Sequence, residues 1–433
     1  MLDFQKQLGQ KFKNKKICIL GFDREGKSTL NFLRQYFPNK TIGIVDIKTI
    51  PINDNNISLH LGKNYLKSLK QYQVIFRTPG ISIEKVKQFT HNKTIITSQT
   101  KLFFDLCPAK IIGITGTKGK STTASLINHV LKSKFKTHLI GNIGYPPLDH
   151  LKHIDQNSKV VFELSSHQLS DLRQSPHIAV FLNLFPEHLD YYSSFTEYVK
   201  AKANITKFQT ADDLLIFNIN DLEVKKIAKV SQAKKISFSG KEEILSKLDS
   251  PLIGKFNLIN IIPSIIIGKY FKIPEKTIIK SIKSFKPLAN RLEKVGQYNG
   301  ITFINDSLAT IPEATIAAIN SLEKEIGSLI VGGFDRGVKQ DSLAKAIINS
   351  SIPTIILLPD TGKKIKSLIN KDIKKEIKIF KASSMIKAVK HAFENTSTGK
   401  ICLLSPGAAS FNMFKDYQDR GNQFKQAVKK LHV

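Results

Sequence analysis

Residues 110–132 read KIIGITGTKGKSTTASLINHVLK. The β-branched run Ile111, Ile112 and Ile114 predicts a buried strand, the periodic stretch Ala124–Leu131 a helix, and the glycine-rich segment between them a turn. A phosphate-binding loop needs this order. Gly116 and Gly119 let backbone N–H groups face an anion at a helix N-terminus, with Thr117, Lys118 and Thr122 completing the loop. Lys120 can reach terminal phosphates, and the Ser121 hydroxyl can ligate Mg²⁺. The spacing G-T-K-G-K-S-T is shorter than the strict Walker form. An ordinary strand–turn–helix carrying a surface lysine is the alternative.

Downstream of the loop, THLIGNIGYPP gives a strand with a turn at Asn142, and KVVFELSSHQLS a strand ending at Glu163 with Gln168 just beyond. An acidic residue at a strand end after a phosphate loop is a usual Mg²⁺ ligand. The strand in IAVFLNLFPEHLDYY leads to Asn183, Glu187, His188 and Asp190. His188 is read as a site residue because it lies beyond a strand end of the same sheet, while Asp190 is equally suited to capping the next turn. Two further short strands are expected within 211–240, a helical stretch around Asn257 and Asn260, and a linker at PLANR, 287–291. Beyond it the alternation resumes with ITFIND, GSLIVGGFDRG, PTIILLPD and KICLLSPGAAS.

Upstream, KICILG-FDREG-KSTLNFLRQYF reads strand, turn, helix, and Gly21–Ser28 satisfies G-x-x-x-x-G-K-S literally. No acidic strand end follows nearby, so Lys27 is read as part of a Rossmann-like turn for a nucleotide-diphosphate or sugar ligand. Arg24 and Glu25 in that turn, Lys48 after the strand TIGIVD, and Arg77 with Thr78 at the end of QVIFRTPG are the candidate substrate contacts. The fold class is therefore α/β in three domains: a Rossmann-like 1–98, a central P-loop ATPase parallel sheet at 99–286, and a Rossmann-like 287–433.

The 433 residues carry a formal net charge of +31 with only seven arginines. The lysines are spread over every segment with no basic block interleaved with aromatics, which weighs against a specific nucleic-acid partner. A positive field of this size would still steer anionic substrates. Apolar runs never reach the roughly 18 residues of a membrane span, the first residues hold no apolar signal core, and three scattered cysteines fit a reducing compartment. A cytoplasmic protein without membrane attachment is expected.

The ordered set GTKGKSTT, ELSSHQLS, NLFPEHLDYY, YVKAK, GKFNLIN, NRLE, FINDS, GGFDRG and SPGAASFNMFKDYQDRGNQF resembles the ATP-dependent Mur ligases of peptidoglycan synthesis. Within them it is most similar to the members that join D-glutamate to UDP-N-acetylmuramoyl-L-alanine. The resemblance spans nearly the whole chain. It implies that the first domain binds UDP, the second ATP and the third the amino acid, in a monomer. It also implies that the L-alanyl carboxylate becomes an acyl phosphate, which the amine of D-glutamate then attacks.

Residue by residue, the resemblance gives Lys120 and Ser121 the phosphate and Mg²⁺ positions, Glu163 the acidic ligand, and His188 a second metal site. It makes Lys202, in Y-x-x-A-K, a lysine carried as a carbamate. Asn142 and Gln168 would lie near the muramoyl peptide. Asn257, Asn260, Arg291 and Asp306 would contact nucleotide, and Arg336, Ser410 and Tyr417 the incoming glutamate. The chain departs from the pattern at Leu308 (usually lysine), Arg336 (more often lysine), Asn290 and Phe256 (histidines) and Lys48 (often arginine). Rival readings are a related amide ligase with another acceptor, such as L-glutamate, or a non-enzymatic P-loop protein.

Overall fold

The structure is a computed structural model that describes residues 4–188, 191–248, 250–252, 256–372 and 376–432; Asp190 lies outside them. The chain forms three sheets in two compact units, 1–249 with 258–283 and 250–257 with 284–433.

The first unit holds two parallel sheets. Strands β1 (Ile17–Leu20), β2 (Ile42–Asp46), β3 (Ile57–Leu61), β4 (Val74–Arg77) and β5 (Ile95–Thr97) are ordered β3-β2-β1-β4-β5. The order reverses between β1 and β4, the crevice where open α/β sheets receive ligands. β3 and β5 had no counterpart in the sequence reading. Both are edge strands with no fully buried position, so neither shows the continuous apolar run of its neighbours.

The second sheet comprises β6 (Lys110–Thr115), β7 (Thr137–Gly141), β8 (Lys159–Glu163), β9 (Ile178–Phe181), β10 (Leu214–Asn218) and β11 (Lys234–Phe238), ordered β11-β10-β9-β6-β8-β7. β6 sits centrally between β8 and β9, all parallel. The loop after β6 and the acidic end of β8 therefore open on the same edge.

Helix Gln99–Leu106 joins the two sheets in one core. It is capped by Ser98 Oγ, which accepts from the Lys101 N–H. Its Leu102, Phe103 and Leu106 are buried, with Phe103 edge-on to Phe162 at 5.6 Å between ring centroids. Gln99 Nε2 donates to the Glu25 carbonyl, Ser28 Oγ and Thr29 Oγ1. The boundary expected at residue 98 is thus a packed junction within one unit.

The second unit contains β12 (Glu293–Tyr298), β13 (Ile301–Asn305), β14 (Ile326–Gly333), β15 (Thr354–Asp360), β16 (Lys378–Lys381) and β17 (Ile401–Leu404), ordered β12-β13-β17-β14-β15-β16. Five strands are parallel; β12 is antiparallel to β13, joined by a turn at Asn299 and Gly300, both at positive φ. β17 inserts between β13 and β14, so the ends of these three strands share one edge. Among the described residues no helix is long and apolar enough to cross a membrane.

Candidate active site

The loop after β6 is shaped by its two glycines. Gly119 precedes helix Lys120–Leu131 at φ +86°, and a Cβ there would lie 2.1 Å from Asn260 Oδ1. Gly116 adopts φ +157° against Leu182. Asn260 thereby packs directly on the loop, and the Thr123 hydroxyl donates to its carbonyl at 3.2 Å. Asn257, one turn earlier on helix Phe256–Tyr270, is also buried.

Asn183, just past β9, holds the loop from the other side. Its backbone carbonyl accepts from the Thr117 N–H at 2.9 Å. Its side-chain oxygen accepts from the Lys118 N–H at 2.8 Å, and its amide donates to the Lys118 carbonyl at 3.1 Å. The sequence placed Asn183 at a strand end without giving it this role. The Thr117 hydroxyl pairs with that of buried Tyr198, which comes from the same helix as Lys202.

Two lysine side chains converge on one carbonyl. Lys120 Nζ donates to the Gly116 and Thr117 carbonyls at 2.9 and 2.8 Å, and Lys202 Nζ to the Gly116 carbonyl at 2.8 Å and to Thr115 Oγ1 at 3.3 Å. Lys202 is 1% exposed. Burial, and then the charge of Lys120, push its pKa well below the usual lysine range. Glu163 is also 1% exposed; one oxygen accepts weakly from Asn142 Nδ2 at 3.4 Å, and Oε2 has no hydrogen-bond partner. An unpartnered buried carboxylate oxygen fits a cation.

Lys118 ion-pairs with Glu187. Burial raises the Glu187 pKa, but the lysine charge and hydrogen bond outweigh it and leave the group below its ordinary value. His188 follows at φ +58°, exposed, with its ring 4.9 Å from that of His167. His167 was absent from the sequence reading. Among the described residues no three His, Cys, Asp or Glu side chains form a ready metal cluster. The expected set of Ser121, Glu163, His188 and Lys202 contains one carboxylate, and an unmodified Lys202 brings no anionic oxygen to it.

The turn after β1 faces the central sheet. Arg24 donates to the Gly144 carbonyl, and Glu25 Oε1 accepts from Gln168 Nε2 at 3.0 Å. Burial raises the Glu25 pKa. Ser28 Oγ is committed to Asp149 at 2.6 Å, so the literal G-x-x-x-x-G-K-S is not organised as a metal-binding phosphate loop. Thr78 closes onto the Leu20 carbonyl at 3.0 Å. Lys48 is exposed and pairs with Asp23. Arg77, expected at substrate, is 1% exposed and points into the protein. Its Nη1 is spent on interior carbonyls and its Nη2 lies against Asp171, so the guanidinium presents nothing to a ligand.

In the second unit, Asp306 is committed internally: Oδ1 accepts from the Leu292 N–H and Oδ2 from Ser405 Oγ at 2.8 Å. Burial pushes its pKa to about 7. Arg420, also buried, ties the loops after β13 and β17 through Ser307 and the carbonyls of Ala408 and Ala409. Asn290 adopts φ +62°, a conformation asparagine tolerates, and its side chain accepts from Asn305 Nδ2. This accounts for one departure: Asn290 belongs to the internal polar network beside Arg291. Arg336 lies over the ring of exposed Phe411 at 5.1 Å, next to buried Ser410, while Tyr417 starts the last helix and its carbonyl accepts from Ser307 Oγ. Leu308 N–H donates to the Asn290 carbonyl.

Residues 114–247 match the family described as the Mur ligase middle domain, and residues 290–407 that described as the Mur ligase, glutamate ligase domain. The UDP-N-acetylmuramoylalanine–D-glutamate ligase of Acetivibrio thermocellus is 33% identical, covering 100% of this chain and 99% of the relative. That of Clostridium botulinum strain Kyoto is 35% identical, with 97% of each chain covered. Among solved structures, the MurF ligase of Thermotoga maritima in complex with ADP superposes with a TM-score of 0.61 at 15% identity, covering 96% of both chains. The UDP-N-acetylmuramate–alanine ligase MurC of the same organism gives 0.58 at 15% identity, covering 96% of this chain and 100% of that one. These two likenesses establish the fold; the full-length identity to curated relatives goes further, and the chain belongs to the Mur ligase family.

Proposed function

We propose that the protein is an ATP-dependent ligase that joins D-glutamate to UDP-N-acetylmuramoyl-L-alanine. The observation that carries this is full-length identity of 33–35% to ligases of that name, over a chain whose phosphate loop, acidic strand end and buried lysine all open on one sheet edge. In this reading 1–98 receives the UDP part, 99–286 the ATP and 287–433 the amino acid. The enzyme works as a monomer in the cytoplasm, with neither nucleic acid nor membrane as a partner.

The γ-phosphoryl group of ATP passes to the L-alanyl carboxylate, giving an acyl phosphate and ADP. The D-glutamate amine attacks that carbonyl, loses a proton and expels inorganic phosphate as the amide forms. Lys120 and the loop N–H groups neutralise charge as two anions approach. Mg²⁺, held by Ser121 and Glu163, would screen the same phosphates. Neutral Lys202 can add CO₂ to become a carbamate, a buried anion that would join the metal site near His188. Arg24, Glu25, Asn142 and Gln168 are assigned to the donor, with Lys48 and Thr78 toward its diphosphate. Asn257, Asn260, Arg291 and Asp306 are assigned to the nucleotide side, Asp306 by holding its neighbours in place. Arg336, Ser410 and Tyr417 are assigned to the acceptor. The Arg336 fork can accept a carboxylate in place of the more usual lysine.

Phosphate release with ATP, Mg²⁺ and UDP-N-acetylmuramoyl-L-alanine, measured separately with D- and L-glutamate, tests the assignment. Release requiring both donor and D-glutamate is expected. Release with L-glutamate alone would overturn the acceptor, and release without any acceptor would overturn ligation.

A further inference from the structure

We propose that Arg77 and Asp171 form a buried brace that fixes the distance between the two ends of the donor site, so that both are positioning residues for the donor. The proposal rests on the reading that the loop 78–81 holds the donor's nucleoside diphosphate and Gln168 its peptide end.

Arg77 closes β4, and its side chain is fully buried. Nη1 lies within hydrogen-bond distance of three carbonyls of the loop that follows: Thr78 at 3.3 Å, Pro79 at 3.1 Å and Ile81 at 2.6 Å. The guanidinium thus gathers the loop from behind and draws its carbonyl dipoles inward, away from the side an anion would occupy. Nη2 lies 3.1 Å from Asp171 Oδ1, and Asp171 is itself 4% exposed. Lys101 Nζ reaches the other oxygen, Oδ2, at 3.1 Å.

Asp171 stands two residues past helix Ser166–Leu169, whose capping box of Ser165 and Gln168 follows directly on Glu163. Tyr191 adds a third strut, its hydroxyl 3.3 and 3.4 Å from the Pro79 and Ile81 carbonyls. One carboxylate of the central region therefore collects a cation from the end of β4 and another from helix Gln99–Leu106, which joins the two sheets. A buried ion pair is costly to assemble and costly to break by removing one partner; held here by charge at close range, it adds little net stability and ties the loop to Asp171. Buried Arg77 and part-exposed Lys101 against one carboxylate also leave a net positive charge behind the diphosphate loop.

A donor that touches the loop at one end and Gln168 at the other must span a distance that this link holds constant. Loosening it by a fraction of an ångström would spoil alignment of the carboxylate for phosphoryl transfer. Asp171→Asn leaves Arg77 gripping the loop carbonyls and removes the charge that ties Arg77 and Lys101 together. Arg77→Lys keeps a charge but loses the planar fork.

The test combines UDP binding by calorimetry with steady-state kinetics on the full donor. Asp171→Asn should bind UDP within about twofold of wild type while its kcat/KM for the full donor falls about tenfold or more. The KM for ATP should stay unchanged. Arg77→Lys should weaken both UDP binding and donor kcat/KM. Val86→Ala, a cavity in the small core of the first sheet, serves as the stability control: it should melt lower than wild type and keep its donor kcat/KM. If Asp171→Asn loses thermal stability like the control but keeps donor kcat/KM, the brace is only structural and the proposal fails. If UDP and full donor weaken in equal proportion in Asp171→Asn, the distance-fixing role also fails. Wild-type protein that does not bind UDP would contradict the underlying site reading itself, and the brace with it.

Discussion

At the residue scale, the site is governed by charges whose desolvation has not been relieved. Lys202 is held below the usual lysine range chiefly by burial, so it remains an uncharged amine at a pH where a surface lysine is protonated. Only that form adds CO₂. Activity should therefore fall when CO₂ is stripped from the buffer, return with bicarbonate, and decline on acidification as the amine takes up a proton. Rates that ignore CO₂ across that series would remove the carbamate. Lys120→Ala should lower kcat by about 10²–10³-fold, the loss typical of one removed charge-stabilising donor, with its circular dichroism spectrum unchanged.

Asp306 makes a different kind of prediction, because its folded pKa of about 7 stands above the ordinary 3.8. The native state then holds a proton that the unfolded state releases between these values. Its contribution to stability is fully present below pH 3.8 and is lost as pH rises through about 7. Asp306→Asn cannot titrate, so the difference in denaturant midpoint between wild type and variant should shift steadily against wild type from pH 4 to 7 and level off above it. A difference that stays flat over that window would show that Asp306 is not perturbed.

At the element scale, the phosphate loop is a strand end and a helix start separated by two glycines with different tasks. Gly119 has positive φ and no room for a Cβ beside Asn260, so Gly119→Ala should cost about 1–3 kcal/mol of strain and displacement. It should raise the KM for ATP as well, while thermal melting reads the stability loss. Phe103→Ala should destabilise the first unit by about 3–5 kcal/mol, because the ring fills the contact between helix Gln99–Leu106 and Phe162. The strands with buried β-branched runs, such as β6, β8 and β14, were legible in the sequence because both faces are covered. The edge strands β12 and β16 were not: β12 reads EKVGQY and β16 reads KIFK, short and half-exposed segments in which no periodicity separates strand from loop. The same limit hid the inward turn of Arg77. Its identity and strand-end position were plain, but the direction of its side chain depends on Asp171, 94 residues later, and on three backbone carbonyls. Asn183 was visible at a strand end, yet its two-way bond with Lys118 follows from how β9 lies beside β6.

At the scale of the whole molecule, the order of motifs identified the family, and many of the groups they carry, such as Lys120, Glu163 and Asp306, follow or close a strand of a parallel sheet, where ligands are received. The formal charge of +31 belongs to this scale too. Spread over every segment, it is expected to accelerate capture of anionic substrates in a salt-dependent way without conferring tight nucleic-acid binding. Titration against random duplex and single strands at moderate salt should give no submicromolar complex; one would show a second partner. The most direct test of the account is the fate of a heavy-oxygen label placed in the L-alanyl carboxylate of the donor. With ATP and D-glutamate, the released phosphate should carry one labelled oxygen, because the acyl-phosphate bridge is broken on its carbonyl side. Phosphate released without label would contradict carboxylate activation at the Lys120 loop and, with it, the proposed ligase mechanism.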